Sequence, residues 1–328
     1  MRKGLIKYIA ILAVVFLAGA CQDDEYTLPE ANTHFQNDVI KRSLGPNVAG
    51  LEIEFVHAMA LGCDEGHIVS AQVEASIPGA EGTYLEHHSY HTGSGGSDVG
   101  VVVGNPSTTT GNVTTVDFTV DTCAAALRYY YMVPEEAKGQ TVSFTFSAVA
   151  STGEEVTFDI GPYDVGMVDV KRDIVLSNNN LSFFSIADLE VYDAEQISST
   201  PEKIDLVYLY RSIPGINFNH ALVAPTADNE FLPDVTLPGL AENATRIRQT
   251  WQVRDEHLAR TQYTVYIDDL DFEQLDLSQS ADYAINLRAE SGAWVETVDG
   301  LYRAFIYVNE VNNSEGTMTI SVKRYTVE

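Results

Sequence analysis

The sequence predicts an all-β protein, two sandwich domains in tandem, on three observations. Apolar and polar residues alternate at period two in one short run after another from residue 51 onward. Glycine, proline and asparagine clusters separate those runs. No amphipathic helix long enough to cover a sheet lies between them, so each dry face is most simply covered by a second sheet about 10 Å away.

Residues 1–20 read as an export leader. Arg2, Lys3 and Lys7 supply a positive start, residues 11–17 an apolar core, and Ala18-Gly19-Ala20 a small-residue cleavage site. The apolar run is shorter than the roughly 20 residues of a membrane-spanning helix. Ala18-Gly19-Ala20-Cys21 resembles the lipobox of bacterial lipoproteins, with Ala18 where leucine is usual. That resemblance implies a Cys21 acylated as the first mature residue, and more than one acyl chain is needed for a lasting anchor. Gln22-Asp23-Asp24-Glu25 resembles the surface-export signal of Bacteroidota lipoproteins, which implies an outer-membrane lipoprotein facing the cell exterior. Plain secretion is the simpler alternative.

Residues 21–49 read as an acidic tether and lead-in, with one short helix expected over 34–44. The first sandwich spans residues 50–170. Its strands are marked by Leu51, Ile53 and Phe55; by Val69, Ala71, Val73, Ala75 and Ile77; by Val99, Val101 and Val103; by Val116, Phe118 and Val120; and by Val142, Phe144, Phe146 and Ala148. Ser151-Thr152-Gly153 turns the last of these onto Val156, Phe158 and Ile160. Residues 134–139 read as one helical turn or a loop closed by Gly139, and the glycine- and serine-rich 93–100 as a mobile surface loop. The domain resembles an immunoglobulin-type module, with a closed barrel as the alternative.

Residues 171–328 form the second, β-rich domain and the expected binding domain. Strands are expected over 171–176, 204–210, 263–267, 301–308 and 318–325. Asp299-Gly300 marks a hairpin turn joining 294–298 to 301–308. Short helices are expected over 254–260 and 278–283. Residues 211–253, which link the strand 204–210 to the first of these helices and carry Pro214, Pro225, Pro233 and Pro238, read as a long loop, where binding residues usually gather.

The segments Lys203-Ile204-Asp205-Leu206-Val207-Tyr208-Leu209-Tyr210-Arg211, Tyr266-Ile267-Asp268-Asp269-Leu270-Asp271-Phe272 and Trp294-Val295-Glu296-Thr297, with the leader, resemble a poorly characterised family of Bacteroidota cell-surface lipoproteins. The resemblance implies a β-rich fold and, in many members of that class, work alongside glycan capture. It implies no catalytic residue, and fold alone does not fix function.

Charge narrows the partners. Nineteen basic residues against 47 acidic ones give a net charge of -28, and removing residues 1–20 makes it -31 by loss of three positive charges. Such a chain repels phosphates, so nucleic acid is excluded. With 45% hydrophobic residues and 17 tyrosines it is too apolar for a disordered acidic tail. Beyond Cys21 only Cys63 and Cys123 remain; they are either a disulfide closing a long loop or two buried small hydrophobes.

Candidate chemistry is sparse. Asp269, Asp271 and Glu273 would share a face of an extended strand and offer oxygen ligands to Ca2+, but the glycine and terminal glutamate of a calcium loop are missing; a solvated edge is the plainer reading. No other cofactor is implied. Asp205, Asp269 and Glu296 are candidate carboxylates for a glycoside hydrolase, whose separation the sequence does not measure. No Gly-x-Ser-x-Gly, His-Glu-x-x-His or phosphate-loop motif is present. His87, His88 and His91 near Glu86 read as a polar loop, against zinc, which needs three or four converging donors. Aromatic rings suit a sugar binder, and Trp251, Arg254, Trp294, Glu296, Tyr208 and Tyr210 are the candidate ligand contacts, weighed against core roles. The expectation is therefore a lipid-anchored, non-catalytic protein that binds a glycan or a surface partner. A hydrolase and a structural or adhesive component are the alternatives.

Overall fold

The computed structural model describes residues 33–327 apart from Pro214, Leu240 and Tyr263; the leader, Cys21 and its acidic neighbours lie outside the described residues. Among the described residues all the strand pairs are antiparallel, in five sheets. The first sandwich sets the sheet Gln36–Lys41, Glu52–Ala60, Ala124–Met132, Tyr84–Leu85 against the sheet Glu155–Asp164, Thr141–Ala150, Ile68–Ala75, Val113–Asp117, Thr108–Thr110. Alternation decides which side chains meet: Ile53, Phe55, Leu127, Tyr129 and Tyr131 from one sheet bury against Val73, Phe144 and Phe146 from the other. Phe55 lies 4.8 Å from Phe144, ring to ring. Cys63 and Cys123 are disulfide-bonded, with Cα atoms 5.0 Å apart, at one end of this sandwich.

Two local expectations for this half fail. Residues 34–44 are not a helix: Gln36–Lys41 pairs with Glu52–Ala60 as a strand, so the sandwich starts before residue 50. Only Val39 of that strand is buried, so its sequence carries almost no period-two signal. The glycine-rich 93–100 is not a free loop either, because His88–Thr92 and Asp98–Val102 pair as a hairpin with Gly93 and Gly96 in its tip. Val99 and Val101 are exposed on it, while Val103 is buried.

The second half stacks the sheet Asp169–Ser177, Thr317–Thr326, Tyr302–Asn312, Ser291–Glu296, Arg246–Trp251 on the sheet Glu190–Tyr192, Phe183–Ser185, Leu206–Ile213, Ile216–Val223, Tyr283–Leu287. The Asp299-Gly300 hairpin forms as expected, with Glu296 opposite Arg303. Residues 211–253 are less of a loop than their prolines suggest, since they contain the strands Ile216–Val223 and Arg246–Trp251. Among the described residues, 264–267 form no strand beyond a single bridge from Val265 to Asp255, and 278–283 no helix. The acid-rich segment is instead a helical turn, Asp269–Glu273, because Asp268 caps it through the N–H groups of Leu270 and Asp271 while Asp271 returns a bond to the Asp268 N–H.

Both faces of each second-half sheet carry buried residues. Leu206 and Tyr208 face the inter-sheet core, and Val207 and Leu209 face a layer built from Ile197, Ile204, Leu232 and Ala241. A last cluster covers the other side of the first sheet: Phe305, Tyr307 and Tyr325 pack with Leu258, Ile267 and Phe272 and with Val48 and Val168 from the start and end of the first sandwich. Phe35–Glu328 thus close into one unit.

Candidate functional site

At the junction of the two halves a cleft of about 450 Å3 is lined by Leu51, Glu52, Met132, Arg172, Glu256 and Tyr266, among others. Each wall is held by local structure. Glu52 and Met132 are register partners at the ends of neighbouring strands. Arg172 stands on Asp169–Ser177, and its Nε donates to the His257 carbonyl oxygen at 2.6 Å. Glu256 opens the short helix Glu256–Ala259, whose first turn is capped by Asp255. Tyr266 returns along that helix, and its ring lies on Gly45: a Cβ there would sit 2.4 Å from the ring, and φ of +72° is already a glycine conformation.

The electrostatics of the cleft follow from partial burial. Among the described residues no carboxylate is within ion-pair distance of Arg172, and burial followed by the nearby Arg260 charge lowers its pKa. Burial, then Lys323 and Arg172, push His257 down to about 3, so it stands neutral near pH 7, with a buried Nδ1 lacking a hydrogen-bond partner. Burial and the hydrogen bond to Glu256 push the Tyr266 hydroxyl up to about 12. The cleft therefore offers a guanidinium, two carboxylates, a phenol and apolar walls, the mixture that holds a polyhydroxylated molecule.

A row of side chains leads away from it. Met132 lines the cleft, and Tyr130 and Arg128 follow at two-residue spacing on the same outward face, opposite Glu54 and Val56. Tyr84 stacks on Tyr130 at 4.9 Å and is 41% exposed. Arg128 ion-pairs with Asp98 and sits 4.0 Å over the Tyr90 ring. Sequence reading passed over this row. The signal was the alternation through Leu127-Arg128-Tyr129-Tyr130-Tyr131, in which Arg128 and Tyr130 must face away from buried Leu127, Tyr129 and Tyr131.

The residues singled out from sequence are not brought together there. Tyr208 is fully buried and its hydroxyl pairs with His220 Nδ1 at 2.7 Å; Tyr210 packs on the same imidazole, 4.5 Å away. Tyr208 is a core residue and Tyr210, partly buried, packs against the same core, because the sheet carrying them is covered on both faces. Trp294 is likewise packed, 4.8 Å from Phe305 and 5.4 Å from Phe272. Glu296 is bound to Arg303 at 3.0 Å and Arg246 at 3.6 Å. Trp251 is 44% exposed but carries Arg288 over its ring at 4.1 Å, and Arg254 is paired with Glu290 at 2.6 Å.

The carboxylates named for catalysis or calcium have structural partners. Asp205 is buried, accepts from the Ile186 N–H at 2.7 Å, and is pushed up to about 6 by burial. Asp269 accepts from the Met167 N–H at 2.8 Å, Asp271 from the Asp268 N–H at 3.0 Å, and Glu273 from the Tyr325 hydroxyl at 3.3 Å. On a helical turn Asp269, Asp271 and Glu273 do not share the face that a strand would give them.

The model for "Domain of unknown function (DUF4466)" matches residues 32–165, and that for "Domain of unknown function (DUF8576)" matches residues 166–327. The crystal structure of a DUF4466 family protein from Parabacteroides merdae ATCC 43184 is similar at 40% identity and a TM-score of 0.86, covering 90% of this chain and 100% of that one. The major pilin subunit of Bacillus cereus overlaps 44% of this chain and 49% of its own at 12% identity, and its TM-score of 0.27 carries no argument. No curated protein matches.

Proposed function

The chain belongs to the DUF4466 family, and from that premise we propose that it is a non-catalytic binding protein that takes an extended glycan in the junction cleft and along the row Met132, Tyr130, Tyr84. The register that lines these residues up with the cleft is the observation that carries the reading. Sugar rings stack their C–H faces on aromatic rings, while the carboxylates and the Arg172 guanidinium suit hydroxyl groups. The proposed setting is the outer face of the outer membrane, with acyl chains on Cys21 as the anchor; the leader and the acidic residues after Cys21 support it.

A glycan array probed with residues 22–328 tests the site. Tyr84→Ala and Arg172→Ala should each weaken binding by about tenfold or more, as loss of 1–2 kcal/mol implies, and Trp251→Ala should leave it intact. An array with no bound glycan, or one indifferent to both cleft substitutions, ends the reading; release of shortened sugar from a bound glycan replaces it with a hydrolase. The anchor is tested separately: Cys21→Ser should abolish fatty-acid labelling and move the protein out of the membrane fraction.

A further inference from the structure

Between the stacked Tyr84 and the exposed hairpin, the chain bends at His87, and the bend does what an extended strand would not: it turns two consecutive imidazoles toward one carboxylate. His88 Nδ1 lies 2.9 Å from Glu86 Oε2, His87 Nδ1 lies 4.0 Å from the same oxygen, and the two ring centroids are 4.2 Å apart. One donor atom from each of the three residues falls within 4.8 Å of the others. We propose that Glu86, His87 and His88 form a zinc-binding site, with the fourth position open to water or to an oxygen donor of a ligand.

The donor set is two imidazoles and a carboxylate, the ligands that zinc accepts in open sites. Bonds of about 2.0 Å in a tetrahedron place donor atoms about 3.3 Å apart. The two spacings to Glu86 Oε2, 2.9 and 4.0 Å, bracket that value. The backbone is already pinned on both sides: the Glu86 N–H donates to the Arg128 carbonyl at 2.7 Å, the Val103 N–H donates to the His87 carbonyl at 2.9 Å, and His88 pairs with Val102 in the hairpin. Among the described residues, the two histidines are the only ion-pair partners of Glu86, so no lysine or arginine competes for its charge. The side chains are 19–33% exposed, open enough for an ion to enter. His91, on the same hairpin, is outside the group. An ion held here fixes the bend at the root of the hairpin, next to the Glu86 N–H bond to the Arg128 carbonyl.

The test is calorimetric titration of Zn2+ into the untagged chain from Gln22 onward, which retains every described residue and whose two cysteines, Cys63 and Cys123, are bonded to each other. One ion should bind per chain. His87→Ala and His88→Ala should each weaken it by about tenfold or more, Glu86→Gln should weaken it too, and His91→Ala should not. Hydrogen exchange should slow across residues 88–102 when Zn2+ is added to the wild type and stay unchanged in His88→Ala. Absence of saturable binding, binding equal in both histidine variants and wild type, or equal loss in His91→Ala would each overturn the proposal.

Discussion

At Asp205 a carboxyl group is held away from water, and burial pushes its pKa up to about 6 from 3.8. The consequence for stability has a definite sign. Between those two values the folded chain keeps a proton that the unfolded chain has released, so this residue's contribution falls as pH rises through about 4 to 6, and by pH 7 the full difference of at most about 3 kcal/mol opposes folding. Asn in its place keeps an oxygen for the Ile186 N–H without the charge. Urea midpoints of Asp205→Asn relative to wild type should therefore shift in favour of the variant between pH 4 and pH 7; a gap that is the same at both would show the carboxyl to be ionised throughout. Tyr208 makes the complementary case of a buried polar group that is satisfied. Its hydroxyl meets His220 Nδ1, whose ring passes the chain of bonds on to Asn313 at 2.8 Å. Tyr208→Phe should cost about 1–3 kcal/mol in chemical unfolding, the range for stranding a buried partner; a change within error would mean that the imidazole finds another donor.

Between elements, the helix Glu256–Ala259 and the segment that follows it are fixed by one ion pair with no solvent access. Asp255 accepts from Lys323 Nζ at 2.7 Å, from the Leu258 N–H at 3.1 Å and from the Ile267 N–H at 2.6 Å, and Lys323 also donates to the Ile267 carbonyl at 2.7 Å. Burial lowers the lysine's pKa, and the Asp255 charge works against that shift. Removing one partner leaves a bare charge in the core, so Asp255→Ala should destabilise by about 3–5 kcal/mol. The double replacement Asp255→Leu with Lys323→Met should lose less than the sum of its parts, which a double-mutant cycle of unfolding free energies reads directly. The same segment seats Tyr266 on Gly45. Gly45 and Gly50 both have positive φ, +72° and +77°, but a Cβ at Gly50 meets nothing within 4 Å. Alanine at either costs about 1 kcal/mol of backbone strain; only Gly45→Ala should also displace the ring, lowering stability further and weakening binding in the cleft. Equal effects at the two glycines would show that the ring yields freely.

Over the molecule as a whole, the Cys63–Cys123 bond closes a separation of 60 residues inside the first sandwich. On the chain-entropy account a loop of that length is worth about 4 kcal/mol, so Cys63→Ala with Cys123→Ala should lower the urea midpoint by that order, and an unchanged midpoint would locate the bond's effect elsewhere. Strand after strand was legible in the sequence, because a sheet with one wet face writes its period into the chain: Ile53 and Phe55 against Glu52 and Glu54, Phe144 and Phe146 against Ser143 and Thr145. The signal fails where that condition fails. Gln36–Lys41 buries only Val39, and Leu206–Ile213 is covered on both sides, so period two could not decide between a ligand contact and a core role for its tyrosines; Tyr208 fills the core. Asp268 turned a run of acids into a helix through a capping bond that no period reveals. The all-β class, the Asp299-Gly300 hairpin and the strongly negative charge followed from the amino-acid order alone, since each depends on neighbours a few residues apart or on a sum over the chain. The cleft did not: Gly45 meets Tyr266, Glu52 pairs with Met132, and Arg172 reaches His257 across 85 positions. Only tertiary packing decides contacts of that range, because the energy that makes them comes from burying one half of the chain against the other.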